Sequence, residues 1–252
     1  MELNYKKYGE GKAFIILHGL FGSSDNWHSH ATKLGEYFEV YSVDQRNHGD
    51  SGWSDDFNYD AMAEDLNEFV EKHQLDDFIL MGHSMGGKTA MRYAQLYPDK
   101  IDRLIIVDMG IKGYPVTHDV IIEGLKSLNL ENLSTRGEAD AHLEKYIGSY
   151  MVRQFLLKNL HRDKTGFSWK VNLKVLEEKL HEVIDSIPND EVMIDTLFMV
   201  GGTSDYIVPE DHDAIRKVFP LATFYTIEKA GHWIHAEAPE EFMEQVLSFS
   251  LL

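Results

Sequence analysis

A serine at the centre of a short glycine-rich segment is the most reactive feature of this chain. Residues 82–86 read Gly-His-Ser-Met-Gly, which has the form G-x-S-x-G. The segment follows an apolar run at 78–81, which predicts a buried strand, and precedes a stretch with helical character. In this strand-turn-helix context the hydroxyl of Ser84 projects above the sheet and can act as a nucleophile. The alternative is that Ser84 only caps the following helix.

A serine hydroxyl needs a neighbouring base that takes its proton, and the chain offers 13 histidines. His232 lies between a predicted strand at 222–227 and the predicted last helix at 239–247. A histidine on that loop would lie at the carboxyl edge of the sheet, beside Ser84. His235 is the local alternative, but it is closer to the helix start, which favours a structural role.

Two aspartates occupy positions from which they could orient His232. Asp108 closes the predicted strand at 104–107, and Asp205 follows the predicted strand at 196–200. The loops after both strands open at the same edge of the sheet, and either carboxylate would fix the tautomer of the imidazole. The residues alone leave both possibilities open.

Ester or amide chemistry also needs backbone N–H groups that hold an oxyanion. We expect one from Met85, directly after the nucleophile at the start of a helix. The other is expected from Leu20, in the loop His-Gly-Leu-Phe-Gly at 18–22 that follows the predicted strand at 13–17. A second polar loop at 44–51 is expected to fix its neighbours rather than to react.

Short apolar runs alternate with helical patterns over the first hundred residues and again after residue 196. This alternation predicts an α/β fold with a mostly parallel sheet flanked by helices. An antiparallel edge strand is expected at 3–8. Residues 111–191 show helical periodicity and no strand, so we expect a helical cap inserted into a core made of 1–110 and 192–252.

Composition narrows the possible partners. The formal net charge of −18 argues against binding nucleic acid or anionic membranes. The absence of cysteine excludes disulfides and thiolate sites. No signal peptide or membrane span is predicted, so we expect a cytoplasmic protein. The pair His28 and His30 lacks a carboxylate that would complete a ligand set, and no nucleotide-binding glycine pattern occurs, so we expect neither metal nor cofactor.

The chain resembles the α/β-hydrolase superfamily over essentially its full length. More narrowly, it is similar to small bacterial carboxylesterases and their mitochondrial relatives. The resemblance depends on five motifs in order: H-G-L-F-G at 18–22, D-x-R-N-H-G-x-S at 44–51, G-H-S-M-G-G-K at 82–88, V-D at 107–108 and G-H-W-I-H-A at 231–236. It implies that the cap lies between the sixth and seventh strands of the family, and it favours Asp108 over Asp205 as the acid.

The resemblance implies a serine esterase that hydrolyses short- to medium-chain acyl esters through an acyl-enzyme. A thioesterase, a C–C bond hydrolase and a perhydrolase remain alternatives within the fold, and a non-catalytic binding protein is the alternative outside enzymology. A small-molecule ester is the expected partner, and the oligomeric state stays open. Four aromatic residues of the cap are candidates for lining the pocket: Tyr114, Tyr150, Phe155 and Trp169.

Overall fold

A sheet of seven strands organises residues 1–115 and 118–252, which are the residues described by the computed structural model. The strand order is β1-β3-β2-β4-β5-β8-β9, with β1 antiparallel and the others parallel. These strands are β1 (Tyr5–Tyr8), β2 (Ala13–Leu17), β3 (Glu39–Val43), β4 (Phe78–His83), β5 (Ile101–Val107), β8 (Asp195–Gly201) and β9 (Ala222–Ile227). A separate antiparallel hairpin contains β6 (Leu160–Arg162) and β7 (Phe167–Trp169).

Helices cover both faces of the sheet. The described helices are α1 (His28–Leu34), α2 (Tyr59–His73), α3 (Met85–Leu96), α4 (Asp119–Lys126), α5 (Arg136–Leu143), α6 (Tyr150–Leu157), α7 (Leu173–Ile184), α8 (His212–Val218), α9 (Ile234–Glu237) and α10 (Pro239–Ser250). Helices α2 and α3 contribute to the apolar core on one face, and α1 and α10 contribute to the core on the other.

The central strands are apolar on both sides because both faces are covered. In β2, Ile15 packs into one core, whereas Phe14 and Ile16 pack into the other. Buried parallel strands therefore appear as continuous apolar runs rather than as alternating patterns. The expected α/β-hydrolase architecture, with its mostly parallel sheet and its antiparallel edge strand, is confirmed.

The segment between β5 and β8 crosses the carboxyl edge of the sheet, and we call it the cap. Counted along this chain, it lies between the fifth and sixth strands of the large sheet, rather than the sixth and seventh expected from the resemblance, because a single strand precedes β2 among the described residues. The division into a core of 1–110 and 192–252 and a cap domain of 111–191 remains our interpretation.

The expectation of a cap without strands is wrong, because the cap contains the hairpin β6–β7 in addition to its helices. The hairpin β6–β7 turns at Asp163 to Gly166, where the Asp163 N–H donates to the Gly166 carbonyl at 3.0 Å and Gly166 has φ of +130°. Each strand has three residues, which is too short for an alternating pattern to be recognised in the sequence.

Candidate active site

Parallel strands bring the proposed catalytic residues to one edge of the sheet. Ser84 directly follows β4, and Asp108 directly follows β5. His232 lies in the loop between β9 and α9, and Leu20 lies in the loop after β2. Residues far apart in sequence thus share one location, the usual position of ligand sites in open α/β sheets.

Ser84 occupies a strained turn between β4 and α3. Its φ of 53° and ψ of −120° lie outside the regions that L-residues ordinarily adopt. The turn is tight because Gly82 and Gly86 lack side chains: a Cβ on Gly82 would lie 2.1 Å from the carbonyl oxygen of Gly86. Strain at a non-glycine residue is common where a side chain must be presented to a ligand.

The imidazole of His232 is held by a buried carboxylate. Its Nδ1–H donates to Oδ2 of Asp108 at 2.8 Å, and Asp108 is completely buried. The other carboxylate oxygen, Oδ1, accepts the backbone N–H of Gly201 at 2.9 Å, and the hydroxyl of Ser204 also donates to Oδ2. Because Nδ1 carries the proton, Nε2 of His232 is left as the basic nitrogen.

Asp205 is placed differently from Asp108. Its side chain is exposed to solvent, and the carboxylate that contacts His232 in the described structure is that of Asp108. The neighbouring Ser204 bonds Asp108 instead, so the loop after β8 supports the buried carboxylate through a hydroxyl. The geometry therefore favours Asp108 as the orienting acid.

Two aromatic rings fix the position of His232. Tyr206 stacks on its imidazole, with ring centroids 3.9 Å apart and planes 15° from parallel. His83 donates from Nε2 to the backbone carbonyl of His232 at 2.9 Å. Burial, followed by the nearby imidazoles of His232 and His235, holds the pKa of His83 well below its usual value, so His83 is neutral. Sequence reasoning missed both residues, although each adjoins a residue that it identified.

Two backbone N–H groups are available near Ser84. Those of Leu20 and Met85 have no hydrogen-bond acceptor among residues 1–115 and 118–252. The peptide groups of Phe21, next to Leu20, are held on both sides: its N–H donates to Nε2 of His48 at 3.2 Å, and its carbonyl accepts from Nδ2 of Asn159 at 2.7 Å. These two bonds fix the loop, while the N–H of Leu20 has no acceptor in the described structure.

The loop at 44–51 has the structural role expected for it. Arg46 donates to both carboxylate oxygens of buried Asp65, at 2.5 and 2.8 Å. Asp44 accepts the N–H of Ser24 at 2.6 Å, which links this loop to the segment that follows the oxyanion loop. The ring of His48 is fully buried and engaged at both nitrogens, which explains why it is not a second base.

An apolar cavity of about 290 Å³ lies between the sheet edge and the cap. Ser84, His232 and Leu20 border it, and the cap closes it with side chains that include Val152, Phe155 and Leu156. The arrangement can therefore present a hydroxyl, an oriented imidazole and free N–H groups to one apolar ligand.

Three of the four aromatic residues expected in the lining lie elsewhere. Phe155 borders the cavity. The hydroxyl of Tyr114 instead donates to the carbonyl of Tyr206 at 2.7 Å and accepts from the N–H of Gly110 at 2.8 Å. The side chain of Tyr150 is 63% exposed at the surface, and Trp169 packs on the main core. The lining of this cavity therefore includes one of the four candidates, Phe155.

The two early histidines have separate partners. His28 bonds the hydroxyl of Tyr8 at 3.0 Å, whereas Nε2 of buried His30 bonds the carbonyl of His235 at 3.0 Å. In the part of the chain that the structure describes, no three side chains of the metal-binding types are grouped to hold an ion. Among those residues, no helix is both long and apolar enough to cross a membrane.

Comparison with known proteins shows which family this chain resembles. The family described as alpha/beta hydrolase fold matches residues 12–122. The sn-1-specific diacylglycerol lipase ABHD11 of Mus musculus is 39% identical over 246 residues, which cover 94% of this chain and 80% of the relative. Esterase YbfF of Escherichia coli (strain K12) is 34% identical over 92% of this chain and 90% of its own length. The solved structure of a marine microorganism esterase is 42% identical, with a TM-score of 0.96 and coverage of 98% and 99%.

Proposed function

Because this chain belongs to the alpha/beta hydrolase family, we propose that it is a serine carboxylesterase with Ser84, His232 and Asp108 as its triad. Its similarity to proteins named esterase and lipase indicates that it hydrolyses carboxylic esters. The observation that carries the triad is the bond between His232 and buried Asp108, with His232 and Ser84 bordering one cavity.

In the first half-reaction, Oγ of Ser84 attacks the ester carbonyl while Nε2 of His232 takes its proton. Asp108 keeps its bond to Nδ1–H and stabilises the imidazolium that forms. The carbonyl oxygen becomes an oxyanion, which accepts the N–H groups of Leu20 and Met85. When the C–O bond to the alcohol breaks, the imidazolium gives its proton to the departing alkoxide, and an acyl-Ser84 ester remains.

In the second half-reaction, water replaces the alcohol. Nε2 of His232 takes a proton from the water as its oxygen attacks the acyl carbonyl. The same N–H groups hold the second oxyanion. Collapse of this intermediate expels Oγ of Ser84, which recovers its proton from His232, and the carboxylic acid leaves. Every step uses side chains and backbone groups of this chain together with water.

The substrate that we propose carries a short to medium acyl group. An apolar cavity of about 290 Å³ supports this size, because the reacting carbonyl and its acyl chain must share it with the catalytic groups. A second candidate is hydrolysis of diacylglycerol, which the 39% identity to a lipase of that name favours. Acyl thioesters remain a third class, since the proposed steps do not depend on the leaving atom.

The test of this function combines labelling with turnover. A fluorophosphonate probe should label Ser84 in the native protein and leave Ser84→Ala unlabelled. The wild type should hydrolyse 4-nitrophenyl esters with a maximum at short or medium acyl chains, and Ser84→Ala should lose a factor on the order of 10⁴ or more.

The same assay should include acyl-CoA thioesters and a dispersed diacylglycerol. The kcat/KM values for the three kinds of substrate then show which class the enzyme prefers. Native circular dichroism of Ser84→Ala excludes unfolding as the cause of any loss. A Ser84→Ala variant that keeps more than a few per cent of wild-type activity would show that the nucleophile is another group.

A further inference from the structure

A second, outer groove adjoins the catalytic cavity. Its volume is about 470 Å³, and it shares four lining residues with the catalytic cavity: Asn26, Phe155, Trp233 and His235. The rings of Phe155 and Trp233 lie between the two spaces, with centroids 5.9 Å apart. The outer groove is therefore a direct neighbour of the catalytic cavity, and the two spaces share a wall.

Two large apolar side chains border the outer groove and are unusually exposed. Tyr150 and Met151, in the first turn of α6, are 63% and 58% exposed. Exposed apolar residues grouped beside a site are characteristic of ligand-binding surfaces, whereas isolated ones are ordinary. Their position at the open end gives the groove an apolar wall that a ligand could cover.

The charge of the outer groove differs from that of the whole chain. The chain carries a formal net charge of −18, yet the described lining of the groove includes no carboxylate. Lys158 is the charged residue of that lining. Burial lowers the pKa of His30 and brings that of His235 to about 3, so both rings are neutral at pH 7. Such a groove suits an apolar group and disfavours a cation.

The order of the two half-reactions decides which half of the ester belongs in which space. The acyl group stays bonded to Ser84 until water arrives, so it belongs in the cavity that Ser84 borders. The alcohol leaves first and needs a path to solvent, which the exposed end at Tyr150 and Met151 provides.

We propose that the outer groove binds the alcohol half of the substrate, and that this alcohol is apolar and carries no positive charge. The proposal rests on the esterase function proposed above, because it assigns the two halves of an ester relative to Ser84. The proposed substrate is therefore an ester that has an apolar group on each side of the carbonyl. Phe155 and Trp233 then form the boundary that the scissile bond must straddle.

The experiment compares butanoate esters whose alcohols increase in length from ethanol through hexanol to decanol. In the wild type, kcat/KM should rise with alcohol length. The double variant Tyr150→Ser with Met151→Ser should lower the ratio of decyl to ethyl ester by about tenfold, the effect of a few methylene groups losing apolar contact. The ratio of the two esters is the readout, because a general loss of folding or of catalysis would lower both rates alike.

A matched control removes two exposed apolar side chains that border neither space. Val120 and Met193 are 51% and 62% exposed, and Val120→Ser with Met193→Ser should leave the ratio unchanged. A charge comparison uses choline butanoate and its neutral isostere, 3,3-dimethylbutyl butanoate. The neutral ester should be the better substrate of the wild type.

The outcomes separate this proposal from the esterase function. If the Tyr150→Ser with Met151→Ser variant keeps the wild-type decyl-to-ethyl ratio while hydrolysing ethyl butanoate normally, the outer groove does not bind the alcohol. If it instead changes the dependence on acyl length in a series of ethyl esters, the two halves are assigned the wrong way round. If the wild type hydrolyses no ester and Ser84 resists labelling, the function itself fails.

Discussion

The side-chain amide of Asn159, on the cap, donates to the backbone carbonyl of Phe21 at 2.7 Å. Phe21 directly follows Leu20, the proposed oxyanion donor, and has a positive φ of 60°. The N–H of the same residue donates to Nε2 of His48, so the peptide groups before and after Phe21 are both held. The loop that carries Leu20 is therefore fixed by a residue of the cap as well as by the sheet domain.

Replacing Asn159 with leucine should lower kcat by about 10- to 100-fold with little change in KM. The loop that carries Leu20 then loses its bond at the Phe21 carbonyl and becomes less well fixed. Complete loss of one oxyanion donor costs about 10²–10³ in comparable enzymes, so a partial loss should cost less. Steady-state kinetics on a short-chain ester measure both constants. Asn172→Leu is the control, because Asn172 also joins the cap to the sheet domain, through Oδ1 of Asn47 at 3.1 Å. Equal loss of kcat in both variants would mean that Asn159 acts only through stability.

The two candidate acids should differ sharply under one assay. Asp108→Asn should lower kcat by about 10⁴, because an amide at this position stabilises the wrong tautomer of His232 and cannot stabilise the imidazolium. Asp205→Asn should stay within a few-fold of wild type, since that side chain is exposed. The kcat values of both variants on 4-nitrophenyl butanoate give the comparison. A large loss in Asp205→Asn with Asp108→Asn near wild type would reverse the assignment.

Acid should destabilise the fold through buried neutral histidines. Burial, with a contribution from the His18 ring, lowers the pKa of His48 to about 3, whereas an unfolded histidine titrates near 6.5. Between these values only the unfolded chain binds the proton, so the free energy of unfolding decreases as pH falls from 6.5. At pH 5 the loss from this one residue should be about 2 kcal/mol, at roughly 1.4 kcal/mol per pH unit.

Urea unfolding at pH 7 and pH 5 measures this effect. His48→Gln should lose about 2 kcal/mol less than the wild type between the two pH values, because it removes one proton-binding site of the unfolded chain. His161→Gln, at an exposed position, should behave as the wild type does. Identical losses in all three proteins would show that His48 is protonated in the folded state.

Lys88 should limit local unfolding of the two segments that connect the cap to the sheet. Its buried ammonium on α3 donates to the carbonyls of Lys112, at 2.8 Å, and of Asp185. Lys88→Met removes these donors, so amide hydrogen exchange at Tyr114 and Ile187, which pair the two segments, should speed up by about tenfold. Lys12→Met, at a surface ion pair, is the control. Unchanged exchange in Lys88→Met would exclude this role.

The strands of the sheet were predictable because the sequence records their burial. Helices on both faces require continuous apolar runs, and these runs located β2, β4, β5 and β8 to within a few residues. The sequence of the short hairpin β6–β7 contains no such continuous apolar run. Its strands have three residues each, and three residues are too few to distinguish a strand from the helical periodicity around it.

The site was predictable only at the level of strand ends. Ser84 and His232 follow strands whose carboxyl ends meet, so their proximity could be expected from topology alone. Asp108 and Asp205 also follow such strands, and only side-chain orientation distinguishes them. The lining of the cavity depends on which face each cap helix turns inward, and helical spacing does not contain that information, as Tyr150 illustrates.

The anchoring of the cap by Lys88 uses main-chain carbonyls at both ends of the insertion. Every amino acid has a backbone carbonyl, so this attachment does not require particular residues at positions 112 and 185. Mutational drift within the cap can therefore alter the lining of the cavity without loosening the attachment. The substrate range of the hydrolase can therefore change through substitutions in the cap, while the hydrogen bonds of Lys88 continue to attach the cap to the sheet.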